Sequence, residues 1–151
     1  MSCRKDTSIG RYVSILYRYG QSFLERKLNP YSIGSGQFIF LVVLFQEDGI
    51  TQENLSRLLN IDKGTTARAV KKLEETGYVR RKTDPKDNRA RIVYLTEEGL
   101  KLQPVVKGIS EKWTEMLTAD FTDSEKEMAV SFLKKMSLKA AEAAKGPQEV
   151  N

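Results

Sequence analysis

The sequence predicts a mainly α fold with one small β-hairpin, an α+β protein in which helices flank a compact central module. Three observations predict it. Apolar residues recur at helical spacing over the first 28 residues and again through the last third of the chain. An unbroken apolar run, Phe38 to Phe45, precedes the middle of the chain. From Thr51 to Thr96 there follow a short capped helix, a tight turn, a basic second helix and two alternating basic segments. That order is a winged helix-turn-helix, with N- and C-terminal helices left over to form a dimerisation region.

The first helix is expected from about Thr7 to Leu28, with Ile9, Val13, Leu16, Tyr17, Phe23, Leu24 and Leu28 on its apolar side. Asn29-Pro30 ends it, because proline disfavours helix in the residue before it. Ser32 to Gly36 reads as a turn. The run F-I-F-L-V-V-L-F, extended by Gln37 and Gln46, reads as a centrally buried helix closed by Asp48-Gly49. Thr51 caps a helix through Leu59, with Leu55, Leu58 and Leu59 on one face. Asn60-Ile61 makes the turn, and Asp62 caps a second helix to about Thr76, with Val70 and Leu73 inward and Gly77 as its C-terminal glycine. Strands follow at Tyr78–Thr83 and Ala90–Leu95. Thr96 caps a long helix with Glu97 and Glu98 in its first turn, and Pro104 is expected to kink it. Its stripe is Leu102, Val105, Ile109, Trp113, Met116 and Leu117. Asp120-Phe121 breaks it. Thr122 and Glu125 form a capping box for the last helix, striped by Met128, Phe132, Met136 and Ala140. The residues after Ala144 read as a frayed tail.

Composition narrows the possible functions. In 151 residues, 40% are hydrophobic and 30% charged, enough apolar material for a core. The single cysteine, Cys3, permits no intrachain disulfide and fits a reducing, cytoplasmic setting. No signal-peptide pattern opens the sequence, and no apolar run approaches the roughly 20 residues that span a bilayer. The absence of histidine removes the commonest metal ligand and the commonest general base. With no paired-cysteine site, P-loop or G-x-S-x-G, neither an enzyme nor a bound metal or cofactor is expected.

The charge is concentrated. Between Lys63 and Arg91 ten basic residues stand against four acidic ones, a local balance of +6 where the whole chain carries +5. The remainder is therefore close to neutral, and the basic stretch points to a polyanion, double-stranded DNA. Thr51, Gln52 and Asn54 open the first helix of the pair, where short polar groups and backbone N–H groups suit phosphates. Lys63, Thr65, Thr66 and Arg68 occupy the first two turns of the second helix, in reach of base edges; Arg and Lys suit guanine O6 and N7. Lys71 and Lys72 lie further along and suit phosphates. Arg80, Lys82, Lys86, Arg89 and Arg91 line the hairpin, and an arginine near its tip suits a narrow minor groove.

The tract I-D-K-G-T-T-A-R-A-V-K-K-L-E-E-T-G-Y-V-R-R, then D-P-K-D-N-R-A-R-I-V-Y-L-T-E-E-G, resembles the MarR family of bacterial and archaeal transcription regulators. Helix, wing and L-T-x-x-G exit stand in order at family spacing. The resemblance implies a homodimer built from the first and last helices, a pseudo-palindromic operator and a repressor's role. It places Arg68 in the recognition helix and matches Asp87 and Arg89 to the wing's D-x-R. Where the family commonly has S-T-V-T or similar, this chain has Gly64-Thr65-Thr66-Ala67, so its site preference is expected to differ.

Many relatives release DNA when a small aromatic or phenolic anion binds. The residues expected to line such a pocket are Tyr12, Tyr17, Arg18, Tyr31 and Trp113, with Arg11 beside them. The peroxide-sensing branch would place its cysteine near Val13, and Cys3 stands well upstream. The expected organisation is dimerisation helices at 1–33 and 120–145, the winged module at 34–100, a connecting helix at 96–119 and a tail at 146–151. Two alternatives stay open: a winged-helix module for protein contacts, and a DNA-binding regulator without an effector.

Overall fold

The computed structural model describes residues 7–146. Helix α1 (Ile9–Leu28) runs into a 3-10 turn at Asn29–Tyr31 and then α2 (Ser35–Gln46). A two-residue strand β1 (Ile50–Thr51) leads into α3 (Gln52–Leu59) and α4 (Lys63–Glu75). The hairpin β2 (Val79–Asp84) and β3 (Asp87–Leu95) follows, then α5 (Glu97–Lys101), α6 (Gln103–Leu117) and α7 (Asp123–Ala144). The chain forms two compact units, one up to Trp113 and one from Thr114 onward. Cys3 and residues 147–151 of the expected tail lie outside the described residues.

In the first unit the core gathers where α2 meets α3, α4 and the sheet. Phe40, Leu41, Leu44, Leu55, Val70 and Val93 are wholly buried there. Burial of each such side chain is worth about 1.5–3 kcal/mol relative to exposure. The apolar run is a helix, as expected, and Phe38, Phe40, Leu41 and Leu44 make it the centre of the packing. It begins at Ser35, inside the expected turn, because Gln37 Oε1 accepts the Gly34 N–H at 2.7 Å and starts the helix early.

The sheet has three antiparallel strands in the order β1-β3-β2, one more than expected. Ile50 pairs with Val93 and Thr51 with Ile92. Two residues are too few to display an alternating pattern, so β1 left no mark in the sequence. Leu58 is a second correction. It is 58% exposed, while Leu55 is buried on the inner face of α3.

The expected long helix with a kink at Pro104 is instead two helices. Proline cannot donate to the carbonyl four residues earlier. The chain breaks at Leu102, whose N–H reaches the Gly99 carbonyl, three residues back, at 3.1 Å. Its own carbonyl then accepts from Val106 at 2.9 Å and starts α6. Pro104 thus stands in the first turn, where the missing N–H costs nothing.

The junctions around the end of α4 are tight. Gly77, at φ +83°, turns the chain out of the helix, and the Tyr78 N–H closes the turn on the Leu73 carbonyl at 2.9 Å. The Tyr78 hydroxyl donates at 2.7 Å to the Tyr31 carbonyl, bridging the hairpin's base to the turn after α1. Gly99 packs so closely that a Cβ there would stand 2.1 Å from the Tyr78 carbonyl oxygen.

In the second unit, Thr122 and Glu125 form the expected capping box at α7, with exchanged bonds of 3.1 Å each way. The helix buries none of its residues within the chain. Met128, Val130, Phe132, Leu133 and Leu138 are all about half exposed. No single helix among the described residues is long and apolar enough to cross a membrane.

Candidate nucleic-acid interface

The turn between α3 and α4 is built from short-range bonds. Thr51 Oγ1 accepts the Asn54 N–H at 3.1 Å and caps α3. Asn60 ends that helix in the left-handed region at φ 52°, which asparagine tolerates. The Ile61 N–H returns to the Ser56 carbonyl at 3.1 Å, while the Ser56 hydroxyl donates to the Ile61 carbonyl. Asp62 then caps α4 by accepting the Thr65 N–H at 2.8 Å. Its other oxygen accepts the Thr65 hydroxyl at 2.7 Å. These bonds, the Thr65 hydroxyl first, hold the Asp62 carboxyl below its ordinary range.

Helix α4 buries Thr66, Ala69, Val70 and Leu73, one face at helical spacing. Its opposite face is exposed and carries Gly64, Thr65, Arg68, Lys71 and Lys72. Lys63, at the helix start, faces Glu53 at 3.7 Å and its side chain is 80% exposed. Thr66 therefore departs from the expectation that it faces a base. It is 1% exposed, and its hydroxyl has no hydrogen-bond partner among the described residues. Threonine fits either face of a helix, and here the apolar period of α4 claims it.

The wing projects beyond the sheet. Its register runs regularly to Thr83↔Arg91 and then jumps to Asp84↔Asp87, so Asn88, Arg89 and Ala90 bulge out of the ladder. Pro85-Lys86 forms the tip, fixed by the Lys86 N–H on Asp84 Oδ1 at 2.8 Å. Asp87 Oδ1 accepts from both the backbone N–H of Arg89 at 3.0 Å and its Nε at 3.4 Å. The arginine side chain remains 94% exposed, so the carboxylate orients it without hiding it. Arg91 Nη1 donates to the carbonyls of Asn88 and Ala90 at 3.2 and 3.3 Å and braces the bulge from below. Between the starts of α3 and α4 and the inner side of the wing lies an open cleft of about 420 Å³, bordered by Gln52, Lys63, Arg89 and Arg91.

The structure thus brings Gln52, Lys63, Arg89 and Arg91 around one cleft and leaves Asn54, Thr65, Arg68, Lys71, Lys72, Lys82 and Lys86 exposed. The hydroxyls of Thr51 and Thr65 are already engaged as caps. Sequence reasoning missed Arg81. Its guanidinium grips Glu74 at 2.9 and 3.2 Å, its backbone N–H donates to the same carboxylate at 3.1 Å, and Nη1 donates to Gln52 Oε1 at 3.2 Å. Arg81 therefore clamps the wing to α4 and α3. The Arg81 side chain, first among the causes, lowers the Glu74 pKa, and the carboxylate in turn raises that of Arg81. The available signal was an acid and a base bracketing the Gly77 turn. Arg80 and Lys82 both cover the Tyr94 ring, at 5.4 and 5.8 Å from its centroid.

The expected pocket residues are dispersed. Tyr12, Tyr17 and Arg18 are exposed along α1; the Tyr17 hydroxyl accepts from Gln21 at 2.8 Å and Arg18 donates to Ser14. Tyr31 is half-buried at the 3-10 turn. Trp113 packs its ring against Phe23, centroids 5.1 Å apart, with Gly20 beneath it. Among the described residues no group of three or more His, Cys, Asp or Glu could hold a metal ion.

Comparison with known proteins gives the family. The MarR family model matches residues 33–90. The HTH-type transcriptional regulator YybA of Bacillus subtilis, itself uncharacterised, is 30% identical over 123 residues, covering 82% of each chain. A MarR transcriptional regulator from Methanosarcina mazei superposes with a TM-score of 0.85 at 49% identity, over 89% of this chain and 97% of that one.

The chain belongs to the MarR family.

As a MarR protein it is a transcriptional regulator, not an enzyme. A MarR-family regulator from Listeria monocytogenes in complex with a 26mer DNA is a further structural relative, with a TM-score of 0.85 at 28% identity over 95% of this chain and 99% of that one.

Proposed function

We propose that this MarR protein is a homodimeric, sequence-specific DNA-binding repressor that reads a pseudo-palindromic operator. The observation that carries the reading is the exposed cationic face of α4 together with a wing whose Arg89 is held outward by Asp87. Helix α4 enters the major groove with Arg68 toward the bases, Lys71 and Lys72 meet phosphates, and Arg89 reaches the flanking minor groove. The family relative bound to DNA supports the same reading. One such helix spans few base pairs, and two-fold pairing supplies a second half-site about one turn away. Ile9, Tyr12, Val13, Leu16, Tyr17 and Tyr19 on α1 and the apolar residues of α7 supply uncovered surface for that pairing.

A small aromatic anion is proposed as the releasing ligand. A cleft of about 250 Å³ between α2 and α6, lined by Val42, Phe45 and Val106 with Lys107 and Ser110 beside them, supports this with apolar walls and one cation. The test is fluorescence anisotropy of a labelled duplex from upstream of the protein's own gene, with excess unrelated DNA and varied salt. Saturable binding that survives the competitor and falls steeply with salt is the expected result. Binding lost to the competitor would remove the specific reading, and no binding at low salt would favour a module for protein contacts.

A further inference from the structure

Helix α4 contains a residue that its helical role does not explain. Glycine is among the poorest helix formers, yet Gly64 occupies the first turn. Its backbone φ is not in the left-handed region, so the turn does not require glycine. What it provides is room. A Cβ at this position would stand 3.3 Å from Asp62 Oδ1 and 3.4 Å from Arg68 Nη1. The Arg68 guanidinium therefore lies back over the bare backbone of Gly64 rather than extending freely.

It is held there by a directional chain. The Thr65 hydroxyl gives its proton to Asp62 Oδ2 at 2.7 Å and accepts Arg68 Nη2 at 3.1 Å. Asp62 is itself fixed as the N-cap by the Thr65 N–H. Thr65 thus has no proton to offer a base. Its hydroxyl takes one of the five guanidinium N–H groups and leaves the rest of the fork for an acceptor pair such as guanine O6 and N7.

We propose that Gly64 and Thr65 are specificity-determining residues that act through Arg68: the space over Gly64 and the Thr65 hydroxyl set where the guanidinium stands, and so which base it prefers. This rests on the DNA-reading role proposed above for Arg68. A Cβ at position 64 crowds Asp62 Oδ1 at 3.3 Å and touches Arg68 Nη1 at 3.4 Å, so it bears on both ends of the chain that seats the fork, and loss of the Thr65 hydroxyl removes the bond that holds it. Both are positioning residues and neither needs to touch a base.

The test is selection of duplexes from a randomised pool, followed by sequencing, with the wild type, Arg68→Ala, Thr65→Val, Thr65→Ser and Gly64→Ala. Arg68→Ala marks the position this arginine reads, as the one whose preference disappears. At that position Thr65→Val is expected to weaken the preference by about tenfold, while Thr65→Ser keeps it within about twofold. Gly64→Ala is expected to shift it by about threefold or more while its melting temperature equals or exceeds that of the wild type. Because each preference is a ratio measured with one protein, altered folding cancels. An unchanged preference in Thr65→Val would overturn the proposal, and an unchanged preference in Gly64→Ala alone would overturn the glycine half. If Arg68→Ala erased no position, its assignment and this proposal would fall together. A wild type that selects no common sequence would instead overturn the DNA-reading function itself.

Discussion

Helices α4 and α7 begin alike and end in different circumstances. Each is capped by a side chain, Asp62 in one and Thr122 in the other, and each carries apolar residues at helical spacing. Helix α4 has 13 residues and buries four of them; α7 has 22 and buries none. Caps and periodicity say that a segment will be helical. They do not say whether the surface that covers it lies in the same chain. The winged module satisfies its apolar face internally, while α7 keeps Phe132 57% exposed, a cost that the proposed second copy of the chain would remove.

The most severe test of this contrast is a pair of truncations. Leu73→Ala should destabilise the module by about 2–5 kcal/mol in urea unfolding, because Leu73 is 1% exposed and its loss leaves a cavity. Phe132→Ala, measured in dilute solution where only monomer is present, should cost less than about 0.5 kcal/mol. Equal losses would mean that α7 has a cover within its own chain. A second test approaches α7 from the opposite direction. Phe132→Glu should abolish dimers in sedimentation velocity and weaken operator binding by at least about tenfold, or about 1.4 kcal/mol. A dimer that survives the charge would move the pairing surface elsewhere.

On the face of α4 that stays exposed, the same contrast is sharpened by charge. Arg68→Ala should cost about 1–3 kcal/mol of specific binding, whereas Lys72→Ala should weaken all duplexes alike and lower the salt slope by about one. Identical behaviour of the two would erase the division between base and phosphate contacts. A modest effect is expected at the Arg81 clamp. Glu74 is 37% exposed, so water screens the pair, and Glu74→Gln should cost only about 1 kcal/mol at neutral pH. The Glu74 pKa is depressed from its ordinary 4.5, so this stabilisation is complete above that value and is lost as pH falls through the folded-state value. Wild type and variant should therefore converge in acid melts; a constant gap would deny the ionic character of the clamp.

What was legible in the sequence was local. The caps at Thr51, Asp62, Thr96 and Thr122 act within three residues, and each accepts the expected N–H. What escaped depends on distant partners. Strand β1 exists only because Val93 and Ile92 lie beside it. Leu55, Leu58 and Leu59 fall within about 100° of arc, narrow enough for one buried stripe, and only packing left Leu58 to solvent. Thr66 has a methyl for the core and a hydroxyl for a base, and its type alone does not decide between them. Arg81 looked like one more cation in a basic hairpin, and only its approach to Glu74 reveals it as a structural tie.

One hydroxyl makes the module a lever. Tyr78 directly follows Gly77, the glycine that turns the chain out of α4, and its phenol, whose pKa burial raises, is anchored 47 residues back in the chain on Tyr31. A tilt that carries Tyr31 away must draw the rear of α4 with it or leave a half-buried phenol unbonded. On the proposed DNA-reading role of α4, the turn after α1 is thereby a handle, and the angle at which α4 would meet a groove is what it would turn.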